Sequence, residues 1–274
     1  MAVTILVLVV IVIADHVIAM ELRVTRNAYP SEFRGVLTLL IFYNLMPQIK
    51  FEYNLNKDKW NVLRVINNPP IFEPDNTERP LGKLPKELIE KVKAETDPAK
   101  QDHIVEKFLE SDFNNKKELI AQKITKFQAG WETINDEYFK RLENILSIKL
   151  SPGIVYTVYL TSAGSCPFNA GQRYFMVRMD DEKVDVVVAH EMLHIEFIRN
   201  FGFYCRDVLK LTVEDFGAFQ EASTFLLNDE MNDILSRPDY GYKEHQELRS
   251  KLSVEWKKNK NFNNLLNYYK GLTN

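Results

Sequence analysis

Cysteines, long apolar runs and a surplus of either charge are all scarce in this 274-residue chain. Two cysteines, Cys166 and Cys205, are too few for a disulfide framework, and no CxxC pair offers a thiolate metal or redox site. They flank the helix discussed below, which leaves either one disulfide or two separate thiols, the second being the simpler expectation. A formal net charge of −3 excludes the strongly basic face of a general nucleic-acid binder. Ten glycines and eleven prolines exclude collagen-like and low-complexity chains. What remains is an ordinary globular composition, 45% apolar and 27% charged, long enough for one large domain or two small ones with a sizeable core.

No apolar run reaches the ~20 residues of a membrane span. Val3 to Ala14 comes nearest, but Asp15 and His16 cut it, and it lacks the positive leading segment of a signal peptide. Residues 1–19 therefore read as an atypical signal or anchor, as a buried strand, or as an extension ahead of a start at Met20. The expected location is the cytoplasm unless this leader acts as an address, in which case the protein is exported or touches a membrane through it.

The remaining chain predicts an α+β fold, mostly helical, with a small sheet ahead of the key helix. Residues 20–100 read as a small α/β segment and 101–274 as the main domain. Leu22 to Thr25 has strand character, and Ser31 to Leu45 has helical periodicity. Gln48 to Leu84, with Pro69, Pro70, Pro74 and Pro80, reads as loop or extended surface chain. Helices are expected over 85–95, 103–113 and 116–148, and strands over 154–161 and 173–179 around a loop at 162–169. Helices follow over 184–201, 212–231 and 245–256. His16 and His103 lie in no motif and read as structural or surface residues.

The chemistry lies in Val186-Val-Val-Ala-His-Glu-Met-Leu-His-Ile195, which contains HExxH. Four residues are just over one helical turn, so His190 and His194 project from one face toward a common ion, expected to be a single zinc. Glu191 lies roughly 100° around the helix, placed to take a proton from a metal-activated water. The helix is apolar on most sides, and two histidines and a glutamate inside it are costly unless something satisfies them. The bland alternative is a pair of core histidines bonded to backbone or carboxylates.

A catalytic zinc needs a third protein ligand and an open fourth position. Glu214 and Glu221 fall on nearly the same face of the next helix. Thr212 and Asp215 resemble a capping box that leaves Glu214 in an exposed first turn. Glu221 sits deeper, beside Ala218, Ala222 and Phe225, and is the favoured ligand.

An HExxH helix followed by a second helix donating glutamate resembles the gluzincin, thermolysin-like zinc peptidases. Gln220-Glu-Ala222 is similar to the segment around their third ligand. Phe225 stands where those enzymes carry an acid that orients a metal histidine, so that support must come from elsewhere, Asn228 being one candidate. From Ile124 onward the chain also resembles an uncharacterised group of predicted bacterial metalloproteases. The stretches concerned include Trp131–Leu142, Cys166-Pro-Phe-Asn169, Gln220–Asn228 and Gly241–Arg249. The resemblance implies a zincin-like domain that hydrolyses a peptide or protein substrate. It also implies a sheet edge, from 173–179 or 154–161, that pairs with the extended substrate. Tyr242 and His245 are the candidate donors to the oxyanion. A metal-binding regulator or scaffold without turnover is the competing reading.

Overall fold

The computed structural model describes residues 4–13, 16–25, 46–68 and 81–273. The helix expected over 31–45 lies outside them. The chain divides into two compact units, Met1–Leu45 and Met46–Asn274, and no division falls at residue 100. In the first unit, strands β1 (Thr4–Ile13) and β2 (His16–Thr25) pair antiparallel, with Ile13 opposite His16.

The second unit is α+β and mostly helical. Its sheet has the order β3-β4-β6-β5, built from β3 (Gln48–Tyr53), β4 (Val155–Thr161), β5 (Phe168–Asn169) and β6 (Tyr174–Arg178). The β3-β4 and β4-β6 pairs are parallel and β5-β6 is antiparallel. On β3, Ile49 and Phe51 enter the core. The outer edge of that strand is closed by a side chain: Gln128 accepts from the Phe51 amide at 3.1 Å and donates to the Ile49 carbonyl at 3.0 Å. An amide group thus takes the place of a neighbouring strand.

Between β3 and the prolines lies α1 (Leu55–Asn67), where an irregular surface segment was expected. Asn54 caps it by accepting from Lys57 N. Its buried face carries Asp58 and Asn61 beside Val62, Val65 and Ile66, so the apolar period that marks a helix is interrupted by polar residues. With α2 (Lys86–Ala94) and the first half of α3 (Pro98–Glu132), α1 surrounds a small core of its own that includes Val65, Leu88 and Val105.

Helix α3 runs unbroken through the Asn114-Asn115 pair that divided it in the sequence reading. The break falls instead at Thr133–Ile134, before α4 (Asn135–Leu146). Buried Asn135 fixes that corner, accepting from Trp131 Nε1 at 2.9 Å and donating to the Pro47 carbonyl at 3.0 Å.

The HExxH helix α5 (Val184–Phe203) crosses the main core, with Val188, Met192, Leu193, Ile195 and Phe197 fully enclosed. A π-helical turn (Tyr204–Val208) ends it. The helix expected over 212–231 is two helices, α6 (Val213–Ser223) and α7 (Phe225–Glu230), meeting at Thr224. Helix α8 (Gln246–Lys258) is followed by α9 (Phe262–Leu272), which the sequence reading did not contain. Phe262 of α9 packs its ring against Phe197, Phe201 and Phe219. Cys166 and Cys205 are both free thiols. Among the described residues no helix is long and apolar enough to cross a membrane.

Gly82 has φ +63°, and a Cβ there would stand 2.8 Å from the Gly164 amide nitrogen. Gly82→Ala is therefore expected to cost about 1–3 kcal/mol, from left-handed strain together with a backbone collision. Urea unfolding measures this, and a change within about 0.5 kcal/mol would refute it.

Candidate metal centre

The site forms where α5 meets α6. His190, His194 and Glu221 offer ligand atoms that all lie within 4.8 Å of one another. Glu221 Oε2 stands 3.6 Å from His190 Nε2 and 3.4 Å from His194 Nε2, and the two imidazole rings meet edge-on at 4.3 Å between centroids. Glu214 is exposed in the first turn of α6, beside the Thr212 cap, and takes no part in the cluster.

Several atoms at this point are buried without a hydrogen-bond partner among the described residues: Glu191 Oε2, Glu221 Oε2 and both ring nitrogens of His194. Unpaired buried polar groups are expensive, and the three residues that carry them line one cavity. The cluster can therefore hold a metal ion, and its donor set fits one.

The carboxyls and imidazoles of the cluster shift one another strongly. Burial pushes the Glu191 carboxyl up to about 8, with Glu221 and Asp239 adding to the rise and His190 opposing it. For Glu221, burial is outweighed by the two imidazoles, which hold its carboxyl well below the usual range. Burial and the neighbouring His190 lower the pKa of His194. At His190 burial also acts to lower the pKa, but the carboxylates of Asp239 and Glu221 prevail and raise it.

Sequence reasoning missed Asp239. Its Oδ2 lies 2.7 Å from His190 Nδ1, which turns Nε2 toward the cluster and sets the tautomer a metal ligand needs. Asp239 is 6% exposed and firmly held. Its Oδ1 accepts from Thr224 at 3.0 Å and faces Arg249 Nη1 at 3.2 Å, and its backbone carbonyl accepts from Arg249 Nη2 at 2.7 Å. Arg249 also donates to the Thr224 hydroxyl. Asn228 bonds the Asp239 backbone twice, through its amide nitrogen and its carbonyl oxygen. Asn228 thus supports the site one step further out than expected, through Asp239. Asp185 at the start of α5 fastens the same loop by accepting from the amide and hydroxyl of Ser236.

A cavity of about 640 Å³ opens over the cluster. Residues 164–168 form one wall and 237–242 another. The first wall is anchored by α1. Asp58 accepts from the Thr161 hydroxyl at 2.7 Å and from the amide and hydroxyl of Ser162 at 2.8 and 2.9 Å. Asn61 donates to the Ser165 carbonyl at 2.9 Å. Tyr242 lies on the second wall. His245 is not among the cavity-lining residues; it closes a 3-10 turn (Lys243–His245), its ring set edge-on to Tyr242.

Among the described residues, β4 lies inside the sheet between β3 and β6, while β5 pairs with β6 only at Tyr174 and Phe175. The edge nearest the site is Phe168–Asn169, with the Phe168 ring 5.9 Å from that of His194.

Comparison with protein-family models, with curated proteins and with solved structures finds no match for this chain.

Proposed function

We propose that this chain is a zinc-dependent, zincin-like peptidase that hydrolyses peptide bonds in a peptide or protein substrate. One observation carries the reading. Two imidazoles and a carboxylate converge at the floor of an open cavity, with the unpartnered carboxylate oxygen of Glu191 beside them. Two nitrogens and one oxygen are a donor set suited to zinc, and His190, His194 and Glu221 would hold it. When bound, zinc supplies Lewis acidity, lowering the pKa of a coordinated water to about 7 and polarising a carbonyl.

The chain's own residues supply the rest. Glu191 takes a proton from the attacking water and returns it to the leaving amine. Asp239 keeps His190 oriented through Nδ1. Tyr242, which lines the same cavity, is the proposed donor to the developing oxyanion. A scaffold without turnover would have no use for an open cavity at the cluster, which favours the catalytic reading.

Elemental analysis of the tag-free protein tests the centre directly. About one zinc per chain is expected, and its loss in the His190→Ala/His194→Ala double variant. Protein that takes up no metal when zinc is offered at neutral pH would end the proposal.

A further inference from the structure

The cavity over the cluster is also lined by three arginines, Arg64, Arg178 and Arg237. They differ in what already occupies them. Arg178 is paired with Asp180, 2.9 Å from its Nε. Arg237 donates to the carbonyl of Pro238 and stacks over the Tyr240 ring at the rim. Arg64, from α1, lies over the Trp60 ring, 5.6 Å from its centroid, and otherwise meets only neutral acceptors among the described residues. Its Nε and Nη2 reach Asn61 Oδ1 at 3.2 and 2.9 Å, and Nη2 reaches Ser165 Oγ at 2.8 Å.

Two bonding nitrogens leave Nη1, with both its hydrogens, unused among these contacts. Four acids line the cavity, and Glu191 among them belongs to the HExxH cluster; the other three are engaged elsewhere. Asp239 serves His190 and Arg249, Glu221 faces the imidazoles, and Asp181 accepts from the Lys183 amide. A guanidinium drawn partly out of water and given no anion gains most from one delivered by a ligand, because planar paired donors match a carboxylate. Its orientation is already set by Asn61 and Ser165, so little freedom is lost when it binds.

We infer that Arg64 is a specificity-determining residue that binds a carboxylate of the substrate in this cavity. The carboxylate comes from an acidic side chain or from a free C-terminus. The inference takes the substrate to be a peptide and in that respect rests on the function proposed above. The anion site itself needs neither metal nor turnover.

The test uses three probes on the full chain, with and without zinc, read by calorimetry. N-acetylglutamic acid α-amide carries only a side-chain carboxylate, N-acetylalanine carries only a terminal one, and N-acetylglutamine amide is neutral. At least one acid is expected to bind about 10-fold more tightly than the neutral probe, and which acid does so identifies the source. The preference should weaken but stay above one in Arg64→Lys, which keeps the charge and loses the planar fork, and fall to about one in Arg64→Gln. Simple damage to the cavity wall would weaken all three probes and leave their ratio intact, and that result would overturn the inference. So would equal binding of acids and neutral probe by the unsubstituted protein. An acid preference that requires zinc and survives in Arg64→Gln places the carboxylate on the metal and overturns it as well. Failure of zinc binding or hydrolysis would end the peptidase proposal while leaving the anion preference measurable on metal-free protein.

Discussion

Replacing Glu191 with glutamine is expected to leave metal content unchanged and to lower peptide hydrolysis by about 10²–10⁴-fold. Glu191 is 8% exposed, and one of its carboxylate oxygens has no hydrogen-bond partner among the described residues. Glutamine has nearly the same volume, so α5 keeps its packing and the neighbouring imidazoles keep their places. The amide cannot accept a proton at neutral pH, and the loss is confined to proton transfer. Burial without a dedicated partner is a poor arrangement for a structural carboxylate and a suitable one for a base that must exchange a proton. Stoichiometric zinc together with turnover lost in this variant would support the role. Turnover retained by a folded Glu191→Gln protein would exclude Glu191 as the base.

Asp239→Asn should act on the metal before it acts on the chemistry. The carboxylate holds Nδ1 of His190 at 2.7 Å and is the anion facing buried Arg249. Asparagine fills the same space but carries no charge, and its amide nitrogen, if turned toward His190, opposes the tautomer that presents Nε2. Loss of such an outer partner typically costs about 10–100-fold in metal affinity, the range expected here from competition against a chromophoric chelator. Unfolding of the metal-free variant should also shift, by about 1–3 kcal/mol, because Arg249 is left with neutral acceptors only. Unchanged zinc affinity would mean that His190 is oriented by packing alone. Gly241 guards the same arrangement: at φ +59°, a Cβ on it would stand 2.5 Å from Arg249 Nη1. The pairing of Gly241 with Arg249 gives a physical reason for both ends of that segment.

Much of the centre was legible because its signals are local. The HExxH spacing needs only helical geometry, and the Thr212 cap separates Glu214 from Glu221 within a few residues. The strands around the loop at 162–169 announce themselves by β-branched and aromatic content. The missing elements have different signals. β3 is six residues long with two core side chains, and its partner β4 lies about a hundred residues away. The prolines that follow α1 drew the loop reading back over it, while Asp58 and Asn61 concealed its buried face. Those same polar residues are what anchor the cavity wall, so the feature that hid α1 is the feature that gives it a role.

The candidate ligands His190 and His194 and the candidate base Glu191 follow from the chain alone, because one helical turn determines which side chains share a face, whereas only the tertiary structure brings Glu221 of α6 up to them. The partner of His190, the placement of Tyr242 apart from His245 and the delivery of Arg64 to the cavity depend on the tertiary structure. Asp239 reaches His190 across 49 residues, and Arg64 reaches Ser165 across 101. Side chains that far apart meet only through the packing of whole elements, and no local pattern of residues encodes the meeting.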